Sequence, residues 1–394
     1  MLATPARKKI LLVTRNLPPL LGGMERLNLH LALELAKAFE VDVVGPSGCR
    51  AQLPTVSYVE EIPHRPLWRF LSIACMRTVQ LARKRRPDCI VAGSGLTAPI
   101  TFIAARLCGA HAVVYVHGLD LVAAHPVYRL IWRPFLRRMD LCIANSRHTA
   151  DLAAHIGIPS ARTTVLNPGV ELPEKHDPAA AMEFRRRHDL GERKLLLSVG
   201  RLTPRKGLLE FIERSLPAIT ATYSDAILLV VGDEAPHALT GSGAGMGQRI
   251  MHVASSIGLK DNVRILGAFD DSVLSAAYQA ADVLVFPVRS LPGDVEGFGM
   301  VAIEAAAHGL PTIAFAVGGV SDAVADGQSG WLVPAGDYAQ FARRVQQVLA
   351  EGATEVSREK CRQFALGLAW DRFGAKLRRI LNRLDPAPAV IGES

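Results

Sequence analysis

The stretch Glu296 to Glu304, EGFGMVAIE, sets two carboxylates eight positions apart around a glycine-flanked turn. Gly297 and Gly299 leave room for backbone to approach a ligand, and the run Phe298 to His308, stopped by Gly309 and Pro311, predicts a helix whose N-terminus can receive an anion. Glu296 falls before that helix and Glu304 inside it, so two acceptors flank an anion site at Phe298, Gly299 and Met300. This suits a diphosphate with hydroxyl-bearing groups at both ends. The neighbours of Glu304 (Val301, Ala302, Ile303, Ala305, Ala306 and Ala307) are apolar, so its carboxylate is expected to be buried and to need a partner. Glu296 has a plainer alternative, a first-turn acid favoured by the helix dipole.

Groups that could complete such a site recur along the chain. In SVGRLTPRKG, Arg201 and Lys206 follow an apolar strand within one loop, where fixed cations can neutralise a diphosphate as its charge grows. Arg205, beside them, reads as the solvated base of the three. In VYVHGLDL, His117 directly follows the strand Ala112 to Val116, with Gly118 for a tight turn and Asp120 either to orient the imidazole or to cap the next helix. Gly22 and Gly23 stand immediately before a helix with leucines at 27, 31 and 35, which opens backbone amides to an anion. Beyond a strand ending at Val231 lie GDEAP and, at Gly267 to Asp271, GAFDD. There Asp270 or Asp271 could accept from both N1–H and the amino group of a guanine, or could cap the helix from Ser272.

Taken in this order, these stretches resemble the motifs of the retaining glycosyltransferases of family 4, which have the GT-B fold. The resemblance rests on E-x7-E at Glu296 to Glu304, G-R-x-x-x-x-K-G at Gly200 to Gly207, H-G-x-D at His117 to Asp120 and a first glycine-rich loop at Gly22 and Gly23. Ser146 in IANSRHTADL and NPGVE at Asn167 to Glu171 resemble further landmarks, the latter with Pro168 inserted where N-G-V-D is usual. It implies that Glu304 holds a ribose, that Glu296 and His117 hold the transferred sugar, and that Arg201, Lys206 and the helix N-terminus stabilise the leaving diphosphate. The first glycine loop would touch the donor and help to place the acceptor. In the front-face mechanism so implied, the leaving phosphate oxygen receives the acceptor proton and no protein nucleophile is needed. No cofactor and no metal are expected, since no D-x-D motif occurs at a plausible donor site and two cations already serve the phosphates.

These residues must be held by strands and helices, and the chain alternates them. Ile10 to Thr14, Val41 to Gly45, Cys89 to Ala92 and Ala112 to Val116 read as strands in the first half; Leu195 to Val199, Ala226 to Val231, Val263 to Leu266, Val283 to Phe286, Thr312 to Phe315 and Trp331 to Val333 in the second. Helical patterns separate most of them, which predicts an α/β protein of two doubly wound, Rossmann-like domains facing a cleft. Residues 1–170 form the expected acceptor-side domain, 171–194 a linker and 195–370 the nucleotide-sugar domain. Residues 371–394 are a basic helix and tail that, by the resemblance, cross back to the first domain. Ligands belong at the carboxyl ends of the strands.

Composition narrows the partners. Residues 1–170 carry 21 Lys and Arg against 10 Asp and Glu, whereas the remainder carries 24 against 27, so one half is basic. An anionic surface or substrate is implied, without any nucleic-acid motif. The segment 64–86, HRPLWRFLSIACMRTVQLARKRR, joins Trp68, Leu71, Met76, Val79 and Leu81 to six arginines and a lysine. It reads as a helix at an anionic bilayer or as a domain helix with a core face. Six cysteines without C-x-x-C spacing and an N-terminus unlike a signal peptide suggest a reduced, cytoplasmic protein, peripheral at most to the inner face of the membrane.

The expected activity is transfer of a hexose with retention from a nucleotide diphosphate sugar, GDP-mannose slightly favoured over a UDP-sugar, to a hydroxyl of a lipid-linked or cell-envelope glycan. A small soluble acceptor is the alternative. From other classes come a degenerate sugar-nucleotide-binding protein and a nicotinamide-dependent oxidoreductase. The oxidoreductase lacks its fingerprint, because NLPPLLGGMER follows the first strand where G-x-G-x-x-G should stand.

Overall fold

The computed structural model describes residues 7–123, 125–173, 176–234, 245–352 and 354–384. They form two units, one of residues 1–169 with 370–394 and one of 170–369.

The first unit is built on a seven-stranded parallel sheet in the order β3-β2-β1-β4-β5-β6-β7. Its strands are β1 Lys9–Val13, β2 Glu40–Pro46, β3 Tyr58–Ile62, β4 Cys89–Ala92, β5 His111–Val116, β6 Leu141–Ala144 and β7 Thr163–Val165. Central strands such as β5 are buried and apolar from Ala112 to Val116 because helices cover both faces of a parallel sheet. Three strands have no counterpart in the sequence reading. β3 and β7 lie at the edges, where the half-buried Glu60 and exposed Glu61 interrupt β3 between buried Val59 and Ile62, and β6 is only four residues long.

The second unit has a six-stranded parallel sheet, β10-β9-β8-β11-β12-β13. These strands are β8 Leu195–Val199, β9 Ile227–Val231, β10 Val263–Gly267, β11 Val283–Phe286, β12 Thr312–Phe315 and β13 Gly330–Val333. The chain winds outward from β8 to β10 and then returns to lay β11 against the other side of β8. Strand order therefore reverses between β8 and β11, and the carboxyl ends of strands at such a reversal are the usual ligand position in open parallel sheets.

The stretch expected as a linker is part of this unit. Helix Pro178–Arg187 packs on helix Asp271–Ala280, burying Phe184 and Leu190 in a shared core, and the Arg185 guanidinium donates to Ala280 O at 2.8 Å. Only Phe184 of PAAAMEFRRR is buried, so the sequence carries no clear apolar stripe there.

Helix Trp370–Asn382 belongs to the first unit. There Trp370 stacks on His30 with ring centroids 4.0 Å apart, and Arg378 pairs with the buried Glu34 at 3.1 Å. Helix Leu67–Arg85 buries Phe70, Ala74, Thr78 and Ala82, four residues apart, so one face is core. Leu71, Val79 and Leu81, read as candidates for a bilayer surface, pack against that core instead. Trp68 and Met76 remain exposed among arginines. Among the described residues no helix is long and apolar enough to cross a membrane.

Candidate active site

Arg201 and Lys206 lie in the loop after β8, Glu296 in the loop after β11, and Glu304 in the helix Met300–Ala307 that follows it. Gly200 follows β8 with φ +132°, turning the chain so that Arg201 is exposed and Lys206 comes back beneath the turn. The Lys206 ammonium sits 4.8 Å over the ring of Phe286, the last residue of β11. Gly207, at φ +68°, has no space for a Cβ because the carbonyl of Pro287 stands there. This close approach presses the β8 loop against the β11 loop, and Arg289 N donates to Arg205 O at 2.8 Å across the seam.

The β11 loop brings Glu296 into this seam. Its Oε2 accepts from Lys206 Nζ at 2.9 Å and from Arg205 Nη1. Arg205 also donates from Nε to Asp294 Oδ1 at 2.9 Å. The expectation of a solvated Arg205 is thus reversed: its side chain is 10% exposed, between two carboxylates, while Arg201 is the base that meets solvent. Burial alone would push the Glu296 carboxyl up, but the Lys206 ammonium and Arg205 guanidinium outweigh it and hold this acid at about 2. Burial lowers the Lys206 ammonium from its ordinary range despite Glu296, and Arg205 adds repulsion. Burial also opposes the charge on Arg205, yet Glu296 and Asp294 together raise it.

Helix Met300–Ala307 begins at Gly299, whose φ of +108° ends the loop abruptly; the side chain of Phe298 is buried beside it. Its first turn carries no acidic residue, so the positive end of its dipole is not met by a carboxylate of its own. The partner that Glu304 was expected to need is Tyr278, whose hydroxyl donates to Oε2 at 2.9 Å. Tyr278 in turn stacks on His308, with centroids 5.1 Å apart. His308 donates from Nδ1 to Glu304 O at 2.8 Å and accepts on Nε2 from Ser275 Oγ at 2.9 Å, and burial keeps its pKa low. Glu304 is half-buried rather than enclosed.

Asp270 takes the capping alternative. Its Oδ1 accepts from the amides of Ser272 and Val273 at 3.0 and 2.9 Å, and the Val273 amide foremost holds its carboxyl low. Asp271 is exposed in the first turn of the same helix. Of GDEAP, Asp233 accepts from Ala268 N and Glu234 from Gly245 N and Gly247 N; Ala235 and Pro236 lie outside the described residues.

In the first unit His117 is buried at the end of β5, with Nε2 2.8 Å from Gly93 O. Asp120 does not orient that imidazole: its carboxylate accepts the His117 backbone amide at 3.0 Å and closes the turn. Gly22 is the N-cap of helix Gly23–Ala36, and a Cβ there would strike the Glu25 carboxylate. The chain's own acid thus lies where an anion had been expected, and Asn16 Nδ2 donates to it at 2.7 Å. Ser146 caps helix Arg147–His155 through Thr149 N, and Asn167 Nδ2 donates to Asn145 O at 3.1 Å.

Sequence reasoning missed Arg205, Asp294, Tyr278 and His308. Two adjacent bases in PRKG and the acid two residues before Glu296 were a legible signal for the first two. Nothing in the sequence near Tyr278 connects it to Glu304, twenty-six residues away.

The chain is similar to known glycosyltransferases. The profile of the Glycosyltransferase Family 4 domain matches residues 21–174 and that of the group 1 glycosyl transferases residues 181–366. The GDP-mannose-dependent alpha-(1-6)-phosphatidylinositol monomannoside mannosyltransferase of Mycolicibacterium smegmatis is 28% identical over 95% of this chain and 98% of its own. The enzyme of that name from Mycobacterium tuberculosis is 32% identical over 74% and 76%. A D-inositol 3-phosphate glycosyltransferase of Geodermatophilus obscurus is 36% identical over 59% of this chain and 50% of its own. Among solved structures, Anabaena HepE in complex with UDP superposes with a TM-score of 0.78 at 21% identity, over 95% of this chain and all of that one. Two Rossmann-like units with these motifs and these relatives make the chain a glycosyltransferase of the GT-B fold, and it belongs to the family 4, group 1 glycosyltransferases.

Proposed function

We propose that this glycosyltransferase moves a mannosyl group, with retention, from GDP-mannose to a hydroxyl of a lipid-linked or cell-envelope glycan. The observation that carries the donor site is the Lys206–Glu296 pair at 2.9 Å beside the helix start at Gly299. A cation held on a carboxylate at a strand's end is available to a diphosphate, and its charge counts most as the leaving group becomes more negative. Arg201 supplies a second cation and Glu304, steadied by Tyr278, an acceptor for ribose hydroxyls. Glu296 is the acceptor for the transferred sugar. The support for His117 at that sugar is its H-G-x-D motif. The leaving phosphate oxygen takes the acceptor proton, and no metal is required because protein cations serve the phosphates. GDP-mannose and a lipid-linked acceptor are supported by the mycobacterial relatives, of which the Mycolicibacterium smegmatis enzyme covers 95% of the chain and the Mycobacterium tuberculosis enzyme 74%.

A small soluble acceptor is the second reading, favoured by the 36% identity to the D-inositol 3-phosphate enzyme over a shorter span. Incubation with radiolabelled GDP- and UDP-sugars, scored for donor hydrolysis and then for transfer to lipid extracts or inositol phosphates, separates these readings. Turnover of UDP-sugars alone would overturn the choice of donor.

A further inference from the structure

We propose that Arg205 is the positioning residue that keeps Glu296 ionised and aimed once the donor has drawn Lys206 away. This rests on the donor site proposed above and assigns within it a task that the motif residues cannot perform.

Lys206 and Arg205 converge on the same oxygen of Glu296, yet the two cations are held differently. Lys206 has one carboxylate partner and lies over an aromatic face, a single point charge on a flexible stem. Arg205 is forked between Asp294 and Glu296, and its backbone carbonyl is tied to Arg289 N at 2.8 Å. Its planar guanidinium spans two carboxylates, a geometry that a lysine cannot copy. An incoming diphosphate therefore competes with one carboxylate for Lys206 but with two for Arg205. Lys206 is the cation that moves.

Once Lys206 faces the phosphates, Glu296 is a carboxylate with little solvent, 14% exposed, and must retain a cation to remain an anion. Arg205 is that cation. The charged groups facing Glu296 are Arg205 and Lys206 from the β8 loop. Asp294, on the β11 loop of Glu296 itself, holds Arg205, and Arg201 acts on Lys206 from further along the β8 loop. The four groups Arg205, Lys206, Asp294 and Glu296 sum to zero charge, so losing Arg205 leaves two acids sharing one cation that the donor also claims.

The test compares wild type, Arg205→Gln, Arg205→Lys and Lys206→Ala, each checked for folding by circular dichroism and for GDP binding by calorimetry. Acceptor-independent hydrolysis of GDP-mannose, or of whichever panel sugar nucleotide the wild type turns over, is then measured against pH. In Arg205→Gln the acid limb should move up by about one to three pH units, the range for removal of a neighbouring opposite charge. The shift should be larger in kcat, which reports the donor complex, than in kcat/KM, which reports the free enzyme where Lys206 still serves Glu296. Arg205→Lys should keep the acid limb near its wild-type position while kcat falls about tenfold, because charge is restored without the fork. A folded Arg205→Gln with a wild-type pH profile would overturn the inference, as would equal shifts in kcat and kcat/KM. If Arg205→Gln does not fold, a wild-type kcat in Arg205→Lys overturns it. Should wild type neither bind GDP nor hydrolyse any sugar nucleotide, the donor site itself fails. Loss of activity in Lys206→Ala alone leaves the donor site standing and removes only the role of Arg205.

Discussion

Lys206 Nζ and Glu296 Oε2 lie 2.9 Å apart although ninety residues separate them. The contact exists because β8 and β11 are neighbours in the sheet and because Gly207 has no side chain to hold their loops apart. A base of the G-R-x-x-x-x-K-G motif and an acid of the E-x7-E motif therefore neutralise each other. In the function proposed above, a donor diphosphate would replace one anion on Lys206 by another.

Lys206→Ala should lower kcat by roughly a hundredfold, the scale of a lost oxyanion donor, with a smaller change in donor KM. The alanine also leaves Glu296 with Arg205 as its cation, so the fold should persist. Steady-state hydrolysis of the donor is the measurement, and an unchanged kcat would dissociate the lysine from the reaction.

Glu304→Ala should act mainly on donor KM, since a ribose contact is made equally in ground state and transition state. Tyr278→Phe deletes the hydroxyl that donates to Glu304 while keeping the ring stacked on His308. A rise in donor KM of about threefold to tenfold, with kcat nearly constant, is the expected result for one hydrogen bond to a carboxylate. A kcat defect in Tyr278→Phe would place Glu304 nearer the reacting centre.

The pH dependence of stability follows from the direction of the Glu296 shift. Its folded pKa is depressed, to about 2 from an ordinary 4.5, so the stabilisation is present above the ordinary value and is lost as pH falls through the folded one. The difference in unfolding free energy between wild type and Glu296→Gln should therefore be largest above pH 4.5, up to about 3 kcal/mol, and should shrink as pH approaches 2. Urea denaturation from pH 2 to pH 6 measures it. A constant difference across that range would contradict the ion-pair account.

Trp370→Ala should destabilise the first unit by about 3 kcal/mol, because a buried indole stacked on His30 is replaced by a cavity. Differential scanning calorimetry should show one transition moving down while the other stays, since Trp370 belongs to the first unit alone.

An anionic bilayer remains a proposed partner for the exposed side of helix Leu67–Arg85, where Trp68 is 69% exposed. Co-sedimentation with phosphatidylserine vesicles should exceed that with phosphatidylcholine vesicles at low salt and decline at high salt, and Trp68→Ser should weaken it. Equal, negligible binding to both vesicle types would favour a soluble acceptor.

The sequence by itself determined the fold and marked most of the residues now proposed for the donor site. Parallel strands buried on both faces must be continuous apolar runs, so LLLSV, ILLVV and VLVF announced themselves, and the motif residues Arg201, Lys206, Glu296 and Glu304 stood at or beyond strand ends where a ligand belongs. Edge strands such as β3 escaped because polar side chains, Glu60 and Glu61 in β3, interrupt the apolar run. What only the tertiary structure decided was which charge meets which. The sequence took Arg201 as the site cation and Arg205 as the solvated base; the close approach at Gly207 instead buries Arg205 between Asp294 and Glu296 and leaves Arg201 in solvent. Tyr278 reached Glu304, and Asp270 its cap, by the same kind of through-space choice. Burial and pairing depend on residues distant in the chain, whereas hydrophobic periodicity is local, and so the first had to await the fold while the second was legible from the start.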